Sequence, residues 1–354
     1  MRLVSGNTAA AIACMLFLAG CMTTPDRDQT EAANRRLLAG AQEIVILGAG
    51  DVALSSRAKP HVLTARRRRD GAAVVLPLKN TVVTGDIAFD VAKVTVRQTY
   101  RNTSVEPIDA LYDLPLPVGA LVRDFIVTIG DRRIRGIVRG REEAQALFRA
   151  AQLQGLPATL LLEESPASRP LKVSRIGPGS DVDLEFTFLE EPTANQSEFT
   201  FVVPALEADT SRDKNTGATS LGVRLEIGWE LVKVESPSHR IATERLSTGG
   251  VWVRLEGESQ TLEREFVLRW SVPTADRAAM ESSSWRLAAD RAVLGARVEI
   301  ANLATQGRRT DALRLALEHG ILTDTTAFLL IDTLHAEDQR AEESQSRSQR
   351  RADS

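Results

Sequence analysis

From Leu76 onward the chain returns again and again to short stretches in which apolar and polar residues alternate, separated by turn formers. Val94, Val96 and Tyr100 fall on one side of such a stretch, and Thr95, Arg97 and Thr99 on the other. Phe125, Val127 and Ile129 alternate up to Gly130-Asp131, and Ile134, Gly136 and Val138 follow, as a hairpin requires. Val182, Leu184, Phe186 and Phe188 repeat the period, as do Phe199, Phe201 and Val203. A later set runs through Leu221, Val223, Leu225 and Ile227, then Val251, Val253 and Leu255, then Phe266, Leu268 and Trp270. A period of two buries one face and wets the other. Many short segments of this kind predict a mainly β chain, layered as an antiparallel sandwich.

One segment breaks the period. Arg141 to Gln154 places Ala144, Leu147, Phe148 and Ala151 at helical spacing, with Glu142 and Glu143 in the first turn and Gly155 where a helix stops. Its apolar stripe is expected to cover one end of the sandwich.

The N-terminus predicts an address. Ala9 to Gly20 is almost wholly apolar, too short to span a bilayer of ~30 Å, and ends in Leu18-Ala19-Gly20-Cys21. That ending resembles the bacterial lipobox, which implies cleavage after residue 20 and lipid attachment at Cys21. Several acyl chains on one residue anchor a protein stably, each buried CH₂ contributing about 0.8 kcal/mol. Met22, rather than Asp, at the second mature position implies an outer-membrane lipoprotein facing the periplasm. Residues 21–75, with Pro25, Pro60 and the run Arg66-Arg67-Arg68-Arg69, read as a flexible tether. Within it, Ile44–Ala53 imitates a strand and dinucleotide-binding turn, but Pro60 and the arginines stand where the second strand and its acidic residue belong.

An ordered set of residues then carries a resemblance. Leu114-Pro115-Leu116-Pro117, Phe125, Ile129-Gly130-Asp131-Arg132, Gly136, the helix Glu142–Phe148, Gly155, Leu160-Leu161-Leu162-Glu163 and Ile176-Gly177-Pro178-Gly179 together resemble the VIT domain. That module is shared by vault proteins and inter-α-trypsin inhibitor heavy chains, and it implies scaffolding or adhesion. Glu235–His239 and Arg264–Trp270 resemble the segment that follows it. In the family a von Willebrand A domain with an Asp-x-Ser-x-Ser metal site comes next. Here only 14 residues separate Trp270 from Trp285, and the nearest match, Asp209-Thr210-Ser211-Arg212-Asp213, ends in Asp. The far flank persists: a helix from Asp311 stopped by Gly320, then Leu322-Thr323 and Ala327–Asp332. If an insert is missing while both flanks remain, the flanks are expected to pack together. Helices within 284–320 and a strand at 326–334 should therefore dock on the sandwich, the strand adding to a sheet edge.

Chemistry is scarce in the pattern. Forty-four basic against 47 acidic residues give a net charge of −3, which excludes the electrostatic footprint of a nucleic-acid binder. His61, His239, His319 and His335 stand singly, and the two cysteines offer them no partner, so no metal or cofactor is expected. Ser238-His239 lacks the Gly-x-Ser-x-Gly elbow and reads as a turn. Glu163-Glu164 and Glu190-Glu191 read as solvated strand ends, with a loop Ca²⁺ site as the alternative. Trp229, Trp252, Trp270 and Trp285 read as packing residues before a sugar-stacking platform.

The resulting map is a signal peptide at 1–20, a tether at 21–75, a VIT domain at 76–205 and a second β layer at 206–275. Docking helices and strand follow at 284–334, and a disordered tail at 335–354. The expected function is non-catalytic: a lipid-anchored envelope module that presents its sandwich to a protein partner. An enzyme accessory and a binder of envelope polysaccharide or peptidoglycan are the competing readings.

Overall fold

The computed structural model describes residues 62–66, 72–165, 168–206, 218–228, 231–257, 261–273 and 287–332. The signal segment, Cys21 and the tail lie outside them, as do Trp229, Trp285, His61, His335 and the Asp209–Asp213 stretch.

In chain order the elements begin with β1 (Thr64–Arg66), β2 (Ala73–Val75), β3 (Leu78–Ala88), β4 (Val91–Arg101), β5 (Ile108–Asp113), β6 (Leu121–Ile129), β7 (Arg132–Arg135) and β8 (Ile137–Gly140). Helix α1 (Arg141–Leu153) leads to β9 (Ala158–Leu162), β10 (Pro170–Ile176), β11 (Asp181–Glu190), β12 (Thr193–Asn195) and β13 (Glu198–Val203). Then come β14 (Ala218–Leu225), β15 (Lys233–Glu235), β16 (Ile241–Arg245), β17 (Val251–Leu255) and β18 (Phe266–Ser271). The last are α2 (Ala288–Thr305), α3 (Arg309–His319) and β19 (Thr326–Ile331).

Among the described residues these strands build three sheets. The first has the order β2-β1-β5-β10-β9-β19-β8, the second β16-β17-β14-β3-β4-β11-β6-β7, and the third β12-β13-β18-β15. Pairing is antiparallel except between β14 and β3, which run parallel. A parallel neighbour needs a long crossover, and the chain from β4 to β13 supplies it.

The alternation read from sequence sets which side chains meet. Val94, Val96 and Tyr100 of β4, Phe125 and Val127 of β6, and Leu184, Phe186 and Phe188 of β11 all enter the main apolar core. Leu221, Val223, Phe266, Leu268 and Trp270 join them. A second cluster lies on the other face of the first sheet, where Ala144, Leu147, Phe148 and Ala151 of α1 cover Leu160, Leu162, Leu329 and Ile331. A third holds α2 and α3 through Val293, Leu294, Ile300, Ala312 and Ala316 against Val91, Leu121 and Leu189.

Three expectations change. The stretch 21–75 is not all tether, because β1 pairs with β2 and β5, and Leu63 and Ala65 are core residues. A three-residue strand beside an arginine run is too short to show a period. Strands after 205 do not form a layer of their own either. β14, β16 and β17 extend the second sheet, while β18 pairs with β13 on one side and β15 on the other. Finally, β19 does not add to an edge. It lies between β9 and β8, antiparallel to both, with all six residues buried. Phe328 and Leu330 point into the main core, and Ala327, Leu329 and Ile331 into the cluster under α1.

The chain crosses from the second sheet to the first at Gly136, between β7 and β8. A Cβ there would lie 3.1 Å from both Leu330 Cδ1 and Phe328 Cδ1 and 3.2 Å from the Phe125 carbonyl oxygen. The Gly136 N–H also donates to that carbonyl at 2.7 Å, which fixes the corner. Gly136→Ala is expected to lower stability by about 1–3 kcal/mol, as overpacking against backbone does, read as a lower midpoint in urea with an unchanged slope.

Candidate functional site

The polar residues that the fold brings together fall into four groups. Inside the core, Gln98 is fully buried, and its Nε2 donates to the Leu206 carbonyl at 2.7 Å. Its Oε1 accepts from the Tyr112 hydroxyl at 2.6 Å and the Tyr100 hydroxyl at 3.3 Å. Burial pushes the Tyr112 phenol far above its ordinary value, so it stays a donor. This network ties the strands to the loop after β13 and is structural.

The second group is Ser238-His239. His239 Nε2 lies 3.0 Å from the Thr261 carbonyl, which only accepts, so Nε2 carries the proton and Nδ1 accepts from the Ser238 hydroxyl at 2.9 Å. Ser238 Oγ in turn accepts the Val267 N–H at 2.8 Å. Burial holds the His239 pKa below its usual value, keeping the ring neutral. The pair pins the segment before β16 to β18.

The third group overturns the expectation of solvated strand ends at Glu190 and Glu163, whereas Glu164 and Glu191 are exposed. Glu190 is only 9% exposed, and burial raises its pKa to about 8 despite a hydrogen bond from the Val202 backbone. Glu163 is raised as well by burial, beside Arg169, itself 1% exposed. Arg169 Nη2 donates to the Ala120 carbonyl at 3.1 Å and lies 3.5 Å from Glu163 Oε1. Arg141 Nη1 donates to the Glu163 carbonyl at 2.9 Å and the Asp324 carbonyl at 3.2 Å. Acidic pairs at strand ends carry no burial signal in sequence, because Glu at a buried position and Glu in water follow the same alternation. No group of three or more His, Cys, Asp or Glu arranged to hold a metal occurs among the described residues.

The fourth group forms a groove of about 540 Å³ between the β6–β8 corner and the two C-terminal helices. Its floor carries Ile137, Val138 and Phe328, and its rim Lys93, Arg123, Arg135 and His319 facing Asp124, Asp290 and Glu318. Lys93 Nζ holds Asp290 at 3.0 Å, and Arg135 Nη2 holds Asp124 at 2.8 Å. One wall is α2, latched to the β3–β4 turn. Phe89 sits there in the left-handed region (φ 56°), a conformation costly for a bulky side chain. Arg291 stacks 6.0 Å above the Phe89 ring and pairs with Asp90, while Phe199 meets the ring edge-on at 6.5 Å. The strained turn is held from both sides. The groove is concave, mixed in charge and formed by segments far apart in sequence, so no local motif announces it.

The architecture is that of a β-sandwich closed by its own C-terminal strand and capped by a helical pair. Residues 78–188 match the vault protein inter-alpha-trypsin (VIT) domain. Beyond this domain match, the chain is similar in sequence to PARP4 and to an inter-alpha-trypsin inhibitor heavy chain. It is 27% identical over 221 residues to human protein mono-ADP-ribosyltransferase PARP4, covering 57% of this chain and 13% of that protein. It is 25% identical over 142 residues to pig inter-alpha-trypsin inhibitor heavy chain H2, covering 40% and 15%. The chain thus spans less than a sixth of the length of these relatives. Among solved structures, Legionella pneumophila aminopeptidase A in complex with aspartic acid is similar at 12% identity and a TM-score of 0.35, covering 59% of this chain and 23% of that one. A likeness that loose carries no argument.

Proposed function

We propose that the protein is a non-catalytic, lipid-anchored module of the cell envelope that presents its sandwich for contact with another protein. The observation that carries this reading is the groove beside α3. Four of its charges are spent on one another in the pairs Lys93–Asp290 and Arg135–Asp124, which suits recognition by shape and register. The Leu18-Ala19-Gly20-Cys21 ending supports the anchor, with Cys21 as the acylated residue, and Met22 favours the outer membrane. The relationship to inter-alpha-trypsin heavy chains supports a role in assembly.

Metabolic labelling with palmitate in a bacterial host, followed by crosslinking and affinity recovery, tests both halves. The native chain is expected to take up label and sediment with membranes, and to recover a defined protein partner in the presence of EDTA. Cys21→Ala is expected to lose label and membrane association. An unlabelled native chain rejects the anchor, and loss of the partner with EDTA rejects metal-free contact.

A further inference from the structure

We propose that a pocket at one end of the sandwich binds a small monocarboxylate with an apolar body, its carboxylate held by Arg175. This goes beyond the protein-contact reading and does not rest on it.

Three observations converge. First, the pocket is built from segments far apart in the chain: the β6–β7 turn, the β10–β11 turn and the residue that follows β19. Its volume is about 340 Å³, at the small end of the range for ligand sites. Pro107, Ile129, Pro157 and Pro178 supply apolar walls, and proline rings have little side-chain freedom to lose on binding. The β10–β11 turn is braced by fully buried Asn102, whose Nδ2 donates to the Ile176 and Gly177 carbonyls at 2.9 Å each. The walls therefore stand in place before a ligand arrives.

Second, the charge in the lining is unbalanced. Its charged residues are Arg132, Arg175 and Asp332. Arg132 pairs with Asp332, which is 8% exposed. Arg175 pairs with no carboxylate among the described residues; its Nη1 donates to the Gly155 carbonyl. Glu106 and Asp131 adjoin lining residues in the chain but do not line the pocket. One excess guanidinium among apolar walls suits a single carboxylate, which it can hold through two parallel N–H donors, rather than a doubly charged phosphate.

Third, an irregularity in the ladder puts that arginine there. Between Val173 and Ile176, β10 advances three residues while β5 advances two, from Ala110 to Ile108. This one-residue bulge holds Arg175 in the left-handed region (φ 55°), a costly conformation for a long side chain. The Arg175 N–H donates to Asp109 Oδ1 at 2.8 Å, which fixes the bulge. A bulge re-aims a side chain, and backbone strain of this kind collects at ligand sites.

The test is a ligand-observed NMR titration of the full chain with hexanoate and hydrocinnamate, with hexanamide and hydrocinnamamide as uncharged matches. At least one acid is expected to bind at least about tenfold more tightly than its amide. Arg175→Asn removes the guanidinium and supplies a residue that tolerates the left-handed region, so the bulge is kept. It is expected to erase the preference for acid over amide. That ratio is the readout, because a general loosening of the pocket weakens both probes alike. Pro107→Glu, at an exposed position, is expected to weaken the acids and spare the amides, and it tests the site even if Arg175→Asn fails to fold. Failure of both acids to bind overturns the proposal. So does equal affinity for acid and amide, or an acid preference unchanged in either variant. Binding of N-acetyl-alanyl-phenylalanine with neither small acid would put a polypeptide C-terminus in the pocket and overturn it as well.

Discussion

A chain stopped at Thr325 is expected to fail to fold, although it keeps every residue matched to the VIT domain. β19 lies inside the first sheet, hydrogen-bonded to β9 on one side and β8 on the other. Its removal opens two strand edges at once and strips the floor from two cores. Phe328, Leu329, Leu330 and Ile331 are all at most 4% exposed. At about 1.5–3 kcal/mol for each side chain buried, the four contribute roughly 6–12 kcal/mol, as much as the whole net stability of an ordinary domain, about 5–15 kcal/mol. Thr326 adds a pin: its Oγ1 donates to the Ile321 carbonyl at 2.7 Å and accepts the Thr323 N–H at 2.8 Å. The expected outcome is insoluble product, or a soluble species cut rapidly by trypsin, with no cooperative thermal transition. Leu330→Ala, which leaves the ladder intact and only empties a cavity, should cost about 2–5 kcal/mol. A truncated chain that melts with the native midpoint would show that the strand contributes nothing.

That strand also shows how far the sequence could be read. Ala327–Ile331 has no polar alternation because both of its faces are covered, one by the opposing sheets and one by α1. An unbroken apolar run fixes burial on two sides, but it cannot say which strands flank it. The half-buried strands were legible for the opposite reason: in β4 and β11 one face meets water, so the period is visible. Ion pairs such as Arg97–Asp183 link residues 86 positions apart and depend on register alone. β1 was lost to its length and its basic neighbours. The packing of Trp252 over Gly222 is likewise silent in sequence, since a tryptophan on an alternating strand reads the same over a glycine as over a valine.

Stability is expected to fall as pH rises from about 4.5 to about 8, and Glu190 is the reason. It lies at the end of β11, where the chain leaves the second sheet for the third, and it is 9% exposed. Burial disfavours the charged carboxylate and raises the pKa from 4.5 to about 8, while the hydrogen bond from Val202 offsets only part of the shift. Between those two values the folded chain keeps a proton that the unfolded chain has released. The folded state therefore binds more protons, and unfolding becomes easier with each step up in pH. The full contribution is present below about pH 4.5 and gone above about 8; at roughly 1.4 kcal/mol per pH unit, the loss amounts to a few kcal/mol. Glu190→Gln presents a neutral group of the same shape at every pH. Its melting temperature should match the native chain near pH 5 and exceed it increasingly up to pH 8.5, by several degrees. Two parallel melting curves across that range, with no widening gap, would mean that the carboxylate ionises in the fold without penalty. The direction separates Glu190 from the surface ion pairs, because a carboxylate such as Asp181, held low by Lys79 and Arg101, loses its contribution at acid pH instead. Glu163, also raised by burial, acts in the same direction, so the widening gap against Glu190→Gln, not the acid-side optimum alone, isolates this group.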